Sequence, residues 1–209
     1  MALPKAKRMK KRTGGRMDKH IAIEGMDGVG KTTICKLLAK ATGYEFVTKP
    51  LHFLTDEDEN DWPNYLRARD IANNSDNRDF SAWFYGLSNI YVYERFKDKN
   101  IITDRHIVSN YCWSGVPSNM DIYDLIIKKI GKPTLTVILY AGENTIRSRL
   151  TNRDSEDSDL KRVFKTETVY ERMISFCELK HFPYVVINTE ELTPEQIVKT
   201  ILERMEGID

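Results

Sequence analysis

Residues 19–33 read KHIAIEGMDGVGKTT, an apolar run followed by a glycine-rich turn. The apolar run predicts a buried strand, and after the turn apolar residues recur at helical spacing over residues 31–41. Residues 25–32 match the pattern G-x-x-x-x-G-K-[ST], in which backbone N–H groups and the N-terminus of the following helix hold phosphate oxygens. The strand, the glycine turn and the helix therefore predict a nucleotide phosphate site.

The predicted phosphate loop assigns a role to each of its side chains. Lys31 is expected to reach the β- and γ-phosphates, and the Thr32 hydroxyl is expected to bind Mg²⁺. Asp27 is unusual, because it places a carboxylate inside a turn that holds anions. The residues predicted to bind ATP phosphates are Gly25, Met26, Asp27, Gly28, Val29, Gly30, Lys31, Thr32 and Thr33.

Composition indicates one domain and restricts the partners. The chain has 209 residues, 41% of them hydrophobic, and a net charge of +1, so the total charge gives no case for nucleic-acid binding. Residues 1–17 carry several basic side chains and no acidic one. They predict a disordered leader, and a nucleic-acid-contacting arm is the alternative. The leader is too polar for a secretory signal or a membrane span. The P-loop nucleotide-binding domain is expected at residues 18–209.

The cysteines and histidines give no pattern of a metal site. The three cysteines are odd in number and far apart in sequence, and the four histidines are scattered. We interpret the cysteines as reduced thiols of a cytoplasmic protein.

Strand and helix patterns alternate along the chain. Short apolar strands are predicted at residues 19–25, 44–50, 100–104, 134–141 and 184–189, and helices at residues 31–41, 79–99, 143–153, 159–180 and from Pro194. Strands that alternate with helices form a parallel sheet covered on both faces. The predicted fold is α/β, a three-layer P-loop NTPase fold with five parallel strands and a short helical lid at about residues 147–160.

A second charged motif follows the strand at residues 100–104. The sequence IITDRH places Asp104 and Arg105 at the carboxyl end of this strand, where open parallel sheets bind ligands. Asp104 can hold Mg²⁺ through water, and a guanidinium can bind a second phosphate bidentately. The chain carries no N/T-K-x-D motif of switch GTPases, and Arg105 stands where an ATPase motor would carry a second acid. A triphosphate site beside an acceptor phosphate site indicates a phosphotransferase.

At these residues the chain resembles the thymidylate kinase family, one of the P-loop nucleoside and nucleotide kinases, from about Lys19 to the C-terminus. IEGMDGVGKTT is similar to the family's phosphate loop, IITDRHIVSNYCWSG to its Asp-Arg-Tyr/His segment, and RLTNRDSEDSDL to its mobile lid. The resemblance implies Mg²⁺- and ATP-dependent phosphorylation of a deoxynucleoside monophosphate, dTMP to dTDP. It also implies small-molecule nucleotide partners and a possible homodimer.

The resemblance also implies roles for single residues. Asp27 would face the acceptor sugar, and Arg105 would clamp the acceptor phosphate. In the family a catalytic arginine lies either in the phosphate loop or in the lid. Because Gly28 and Val29 follow Asp27, the catalytic arginines are expected in the lid, at Arg149 and Arg153. The alternative is that these two arginines lie on the solvated face of a helix and only form ion pairs with nearby acidic side chains.

The segments expected to read the base and sugar depart from the family pattern. Lys49 stands where the family usually has a glutamate, and the aromatic helix at residues 79–99 lacks an early arginine. The candidate substrate-binding residues are Arg67, Phe84, Asn89 and Trp113, in addition to Asp27 and Arg105. Packing of the helix against the core is the alternative role for Phe84.

Two other functions remain open at this stage. A deoxynucleoside kinase on the same fold would phosphorylate a 5′-hydroxyl, and Glu24 would then act as the general base. A nucleotide-binding regulatory module without turnover is the second alternative.

Overall fold

A computed structural model describes residues 19–58 and 60–207. The predicted basic leader lies outside the described residues. The described chain contains a sheet of five parallel strands with helices packed on both sides, as the alternating pattern predicts.

The strands are β1 (His20–Glu24), β2 (Glu45–Thr48), β3 (Ile101–Asp104), β4 (Leu135–Tyr140) and β5 (Tyr184–Asn188). Their order in the sheet is β2-β3-β1-β4-β5. The central strand β1 pairs with β3 on one side and with β4 on the other, and Ile23 lies opposite Asp104 in the first pairing. The carboxyl ends of β1 and β3 therefore lie side by side, at the point where the strand order reverses.

The helices cover the sheet and supply the apolar layers of the core. They are α1 (Lys31–Thr42), α2 (His52–Thr55), α3 (Pro63–Asn73), α4 (Arg78–Arg95), α5 (Ile107–Ser114), α6 (Met120–Ile130), α7 (Glu143–Arg153), α8 (Thr166–Leu179) and α9 (Pro194–Glu206), with 3₁₀ helices at Pro117–Asn119 and Ser158–Lys165. Among these helices none is long and apolar enough to cross a membrane. The predicted capping box of the last helix is present, because Thr193 and Gln196 exchange side chain–backbone hydrogen bonds.

The segment that follows α7 contains less α-helix than the sequence pattern predicts. The prediction of one helix over residues 159–180 is wrong for the first seven residues, which belong to the 3₁₀ helix Ser158–Lys165. Asp157 caps this 3₁₀ helix by accepting a hydrogen bond from the Asp159 N–H, at 2.9 Å. The Thr166 hydroxyl donates to the Val163 carbonyl, at 2.6 Å, where α8 begins. These local bonds offer the backbone an alternative to the α-helical pattern.

Two buried histidines, His20 at the start of β1 and His106 just after β3, lie next to each other. The His20 ring makes hydrogen bonds with the Tyr93 hydroxyl, at 2.8 Å, and the Thr103 hydroxyl, at 2.9 Å. It also meets the His106 ring edge-on, with centroids 4.7 Å apart. Burial lowers the pKa of both imidazoles, that of His106 to about 3.

We expect these histidines to make the fold sensitive to acid. Because an unfolded histidine takes up a proton near pH 6.5 and a folded His106 only near 3, stability is present above pH 6.5 and is lost as pH falls. Below pH 6.5, each buried histidine lowers the free energy of unfolding by up to about 1.4 kcal/mol per pH unit. Urea unfolding at pH 7, 6 and 5 should show this loss, and His106→Phe should reduce its slope by about half. The exposed His181→Gln should leave the slope unchanged.

Candidate functional site

The phosphate loop between β1 and α1 has the backbone that the glycine pattern predicts. Gly25, Gly28 and Gly30 adopt positive φ angles of 138°, 86° and 93°. A Cβ atom at Gly25 would lie 2.5 Å from the Leu139 carbonyl oxygen, so only glycine fits between this turn and β4. The turn therefore packs closely onto the sheet between β1 and α1.

Lys31 is buried at the start of α1 and lies against the same loop. Its Nζ donates to the Met26 carbonyl, at 2.8 Å, and lies 3.5 Å from Asp27 Oδ1. Burial and the charge of Arg105 lower the pKa of Lys31, whereas Asp27 and Asp104 raise it. The net effect lowers the pKa of Lys31, and the Met26 carbonyl and the Asp27 carboxylate hold its ammonium beside the loop.

Thr32 and Asp104 meet across the gap between α1 and β3. The Thr32 hydroxyl donates to Asp104 Oδ2, at 2.6 Å. Mg²⁺ takes oxygen ligands, and in phosphate sites it commonly uses one or two protein oxygens, water and the substrate phosphates. In the described part of the chain no group of three acidic, histidine or cysteine side chains could hold a metal alone. The hydroxyl and carboxylate fit a magnesium ion that a nucleotide brings with it.

Asp27 is bound to Arg105, the residue that follows β3. An Arg105 nitrogen donates to Asp27 Oδ1, at 2.7 Å, and a second one donates to the Ser109 hydroxyl, at 3.3 Å. Although burial raises the pKa of Asp27, the charges of Arg105 and Lys31 hold it well below its usual range. Arg105 has φ = 72°, an uncommon left-handed backbone for a residue with a side chain. The structure therefore brings the charged residues of both motifs into one cluster.

Glu24, at the end of β1, is fully buried and holds the start of α5. One carboxylate oxygen accepts the His106 N–H, at 3.0 Å, and the other accepts the Ser109 hydroxyl. Burial raises the pKa of this carboxyl, while its bonds to Ser109 and the charge of Arg105 lower it. Both oxygens are thus occupied by the protein.

The lid helix α7 packs directly onto the phosphate loop. A Cβ atom at Gly28 would lie 3.1 Å from Leu150 Cγ. Arg153 ends α7 and pairs with Asp157, at 2.9 Å from Nε to Oδ2, and with Asp159, and its pKa also responds to the charge of Asp27. In the lid, Arg153 is therefore held by acids close to the loop.

Arg149 and Arg153, the two arginines expected to be catalytic, have different partners in the structure, and their catalytic role stays a prediction. The Arg149 guanidinium donates to the hydroxyl and the carbonyl of Thr189, both at 2.9 Å, at the end of β5. Four residues of helix place the two Cα atoms on one face, but the long side chains extend to different partners. Arg149 joins α7 to the loop after β5, and the structure does not bring its guanidinium to Arg153.

The candidate base-reading residues fall into different environments. Asn89 is 5% exposed, and its Oδ1 accepts from the Asn110 amide, at 3.3 Å. Asn89 is thus packed between α4 and α5 in this structure, and its contact with the base stays a prediction. Phe84 is half-buried beside Tyr85, Trp113 is half-buried at the end of α5, and Arg67 is exposed on α3.

Comparison with known proteins gives the family. A family model described as Thymidylate kinase matches residues 23–201, most of the chain. The chain belongs to the thymidylate kinase family. It is thus a nucleotide kinase, in agreement with the phosphate loop and the adjoining Asp-Arg motif.

Relatives and solved structures agree with this assignment. A putative adenylate kinase of Thermococcus gammatolerans is 28% identical over 187 residues, covering 89% of this chain and 85% of the relative. A probable thymidylate kinase of Methanococcus maripaludis is 27% identical over 199 residues, covering 89% and 94%. The structure of deoxyadenosine kinase from M. mycoides with bound dATP has a TM-score of 0.60 and 19% identity, and covers 90% of this chain and 99% of that one. That likeness concerns the fold.

Two side chains near the charged cluster, Tyr85 and Arg162, were not predicted from the sequence. Burial raises the pKa of Tyr85, while the charges of Arg69, Arg105 and Arg162 and a hydrogen bond to Asn73 lower it. The Tyr85 hydroxyl donates to Asn73 Oδ1, at 2.6 Å. Arg162, in the 3₁₀ helix of the lid, lies over the Trp113 ring, 5.7 Å from its centroid. Arg69 lies two residues after Arg67, and helical spacing points the two in different directions.

Proposed function

We propose that this protein transfers the γ-phosphoryl group of ATP to a deoxynucleoside monophosphate, with dTMP as the acceptor and dTDP as the product. The Asp27–Arg105 ion pair carries this proposal. It joins the donor loop to a cation on the adjoining strand end. Two phosphate-bearing ligands can thus meet above β1 and β3, one on each side of that pair.

The donor side is assigned to the loop and the start of α1. The loop N–H groups and Lys31 hold the phosphates of ATP, and Thr32 and Asp104 hold Mg²⁺, which neutralises charge between the β- and γ-phosphates. The Lys31 bond to the Met26 carbonyl fixes the ammonium beside the loop before ATP binds. This fixed position limits the reorganisation that transfer requires.

The acceptor side is assigned to Arg105, Asp27 and the residues around Tyr85. Arg105 clamps the monophosphate through two parallel N–H bonds, which requires it to shift partly from Asp27 and Ser109. Asp27 accepts a hydrogen bond from the sugar hydroxyl. Phe84, Trp113 and Arg67 remain proposed contacts to the nucleotide, and Arg153 neutralises charge from the lid.

The chemistry of the acceptor favours a monophosphate over a nucleoside. A phosphate monoester is ionised near neutral pH, so its oxygen attacks without a general base. A 5′-hydroxyl needs a base to take its proton. Glu24, the base of the nucleoside kinase alternative, is fully buried and both its oxygens are bound to α5.

One experiment separates these acceptors. ATP consumption is measured with dTMP, AMP, dAMP, thymidine and deoxyadenosine in parallel. AMP and dAMP are included because relatives are named both adenylate and thymidylate kinases, and deoxyadenosine because of the deoxyadenosine kinase fold. We expect turnover of dTMP and none of the nucleosides. Turnover of nucleosides alone would replace this proposal with the nucleoside kinase alternative, and turnover of another monophosphate would correct the base.

A homodimer through α4 is part of the proposal. Phe80, Trp83, Leu87 and Ile90 follow one another at spacings of three and four residues and are 37–51% exposed. Such a stripe on a helix is the seam of a helix–helix contact, and a second copy supplies the same stripe by twofold symmetry.

We expect Leu87→Glu to convert the dimer to a monomer. A carboxylate in the centre of an apolar seam is desolvated without a partner, which costs several kcal/mol of association free energy. Sedimentation or light scattering measures the change, and Glu94→Gln on the same helix is the matched control. A wild-type chain that is monomeric at high concentration would contradict this interface.

The remaining proposals concern the leader and the location. We infer that the leader takes no part in the reaction and that no nucleic acid is required. Removal of residues 1–16 should leave kcat and KM unchanged within a factor of about two, the usual range of a neutral surface change. Cys35, Cys112 and Cys177 are free and buried, and we infer a cytoplasmic location from these reduced thiols.

A further inference from the structure

The C-terminal end of α5 has an unusual set of partners. The last carbonyls of a helix have no partner within the helix and need other donors. Here the carbonyls of residues 111–115 all accept hydrogen bonds, and side chains from three other segments provide most of them. Arg78 of α4 donates to the Trp113 carbonyl, at 3.0 Å, and Asn119 donates to the Ser114 carbonyl, at 3.3 Å.

Arg172 of α8 makes the largest share of these bonds. Its guanidinium donates to the carbonyls of Tyr111, at 3.3 Å, Cys112, at 3.1 Å, and Gly115, at 2.7 Å. It also lies over the Tyr111 ring, 5.3 Å from the centroid, and that ring stacks on Phe176 with centroids 4.1 Å apart. A cation at a helix C-terminus is also favoured by the helix dipole.

The chain that Arg172 binds turns back closely on α5 at Gly115. A Cβ atom at Gly115 would lie 2.5 Å from the Tyr111 carbonyl oxygen, so the chain turns back closely on α5. Trp113 lies within this turn, and its indole is the ring that Arg162 of the lid covers. The segment after Arg162 leads directly into α8, which carries Arg172.

We propose that Arg172 is a positioning residue for the acceptor site. By binding three carbonyls at the end of α5, it fixes Trp113 where Arg162 of the 3₁₀ helix Ser158–Lys165 meets it. It also ties α8, which follows that 3₁₀ helix, to α5, which begins beside Arg105. Arg172 touches no substrate and acts through Trp113 and α5. The inference rests on the proposed function only where it names a monophosphate as the acceptor.

The first test follows Trp113 without any substrate. In a Trp62→Phe, Trp83→Phe background Trp113 is the remaining tryptophan of the three. We expect Arg172→Ala to raise the iodide quenching of Trp113 fluorescence at least twofold, because the end of α5 loses three hydrogen bonds. The exposed Arg204→Ala on α9 is the matched control. Unchanged quenching in Arg172→Ala would overturn the proposal whether or not the protein phosphorylates dTMP.

The second test measures kinetics with the same variants. Arg172→Ala should raise the KM for the monophosphate at least tenfold, the effect of losing charge-assisted hydrogen bonds, with the KM for ATP within a factor of about two. Arg172→Lys retains the charge but not the planar set of donors, so its KM for the monophosphate should lie between those of the wild type and Arg172→Ala. If both KM values rise together, or neither rises, Arg172 has no positioning role at the acceptor.

A rescue experiment separates positioning from a general loss of stability. A cavity of about 260 Å³ opens beside Arg172, lined also by Tyr111, Glu171 and Phe176. Guanidinium at tens of millimolar can therefore enter the space left by Arg172→Ala. We expect it to lower the monophosphate KM of that variant toward the wild-type value, whereas tetramethylammonium at equal ionic strength should not. Absence of rescue in a variant that melts like the wild type would contradict the proposal.

Discussion

Alanine at position 31 is expected to lower kcat/KM for ATP-dependent phosphoryl transfer about 10³-fold, the loss typical of removing one electrostatic donor from a preorganised site. Lys31 is 6% exposed, and the Met26 carbonyl and the Asp27 carboxylate hold its ammonium beside the phosphate loop. Among the described residues, the nearby cation Arg105 does not take this place, because it is bound to Asp27 and Ser109. Steady-state kinetics with saturating acceptor measures the loss.

The control for Lys31→Ala lies on the same helix. Lys36 is exposed five residues further along α1, and Lys36→Ala should change kcat/KM less than about twofold. Because burial already penalises the Lys31 charge, Lys31→Ala should not lower the melting temperature much. An active Lys31→Ala enzyme would show that the phosphate loop does not hold the donor as proposed.

The backbone of this site was readable from the sequence because local rules determine it. Gly25 and Gly30 permit the turn, and the apolar run before them forms the central strand β1. Asp104 is the last residue of β3, the strand that pairs with β1. The parallel α/β fold and the family assignment are confirmed for these reasons. Helix α6 was not predicted, although it contributes the buried Ile122, Tyr123 and Ile126.

Side-chain directions were not readable in the same way. Arg149 and Asn89 stand at positions where spacing alone allowed contact with a ligand. Long side chains choose among several partners in three dimensions, and Arg149 is bound to Thr189 while Asn89 is bound to Asn110. Tyr85 and Arg162 have no motif of their own, and only packing of α4 and the lid brings them near Arg105.

Glutamine at position 105 is expected to lower kcat/KM for the monophosphate about 10²-fold, with the KM for ATP within a few-fold. A guanidinium bound to a phosphate makes two charge-assisted bonds, and each contributes about 1.5–3 kcal/mol. Parallel titrations of ATP and dTMP measure the two constants. Arg147→Gln is the control, because Arg147 is exposed and pairs only with Glu143 among the contacts described.

Because Arg105 also pairs with Asp27, Arg105→Gln removes an ion pair as well as the proposed phosphate contact. A double variant separates the two effects. Arg105→Gln leaves Asp27 in a partly buried site with Lys31, so its pKa should rise and the fold should lose about 1–3 kcal/mol. Asp27→Asn together with Arg105→Gln removes the unpaired carboxylate and should recover most of that stability. Activity should not recover, since the phosphate clamp is still absent. A double variant that regains both would mean that Arg105 serves only to neutralise Asp27, and the acceptor phosphate would then have to bind elsewhere.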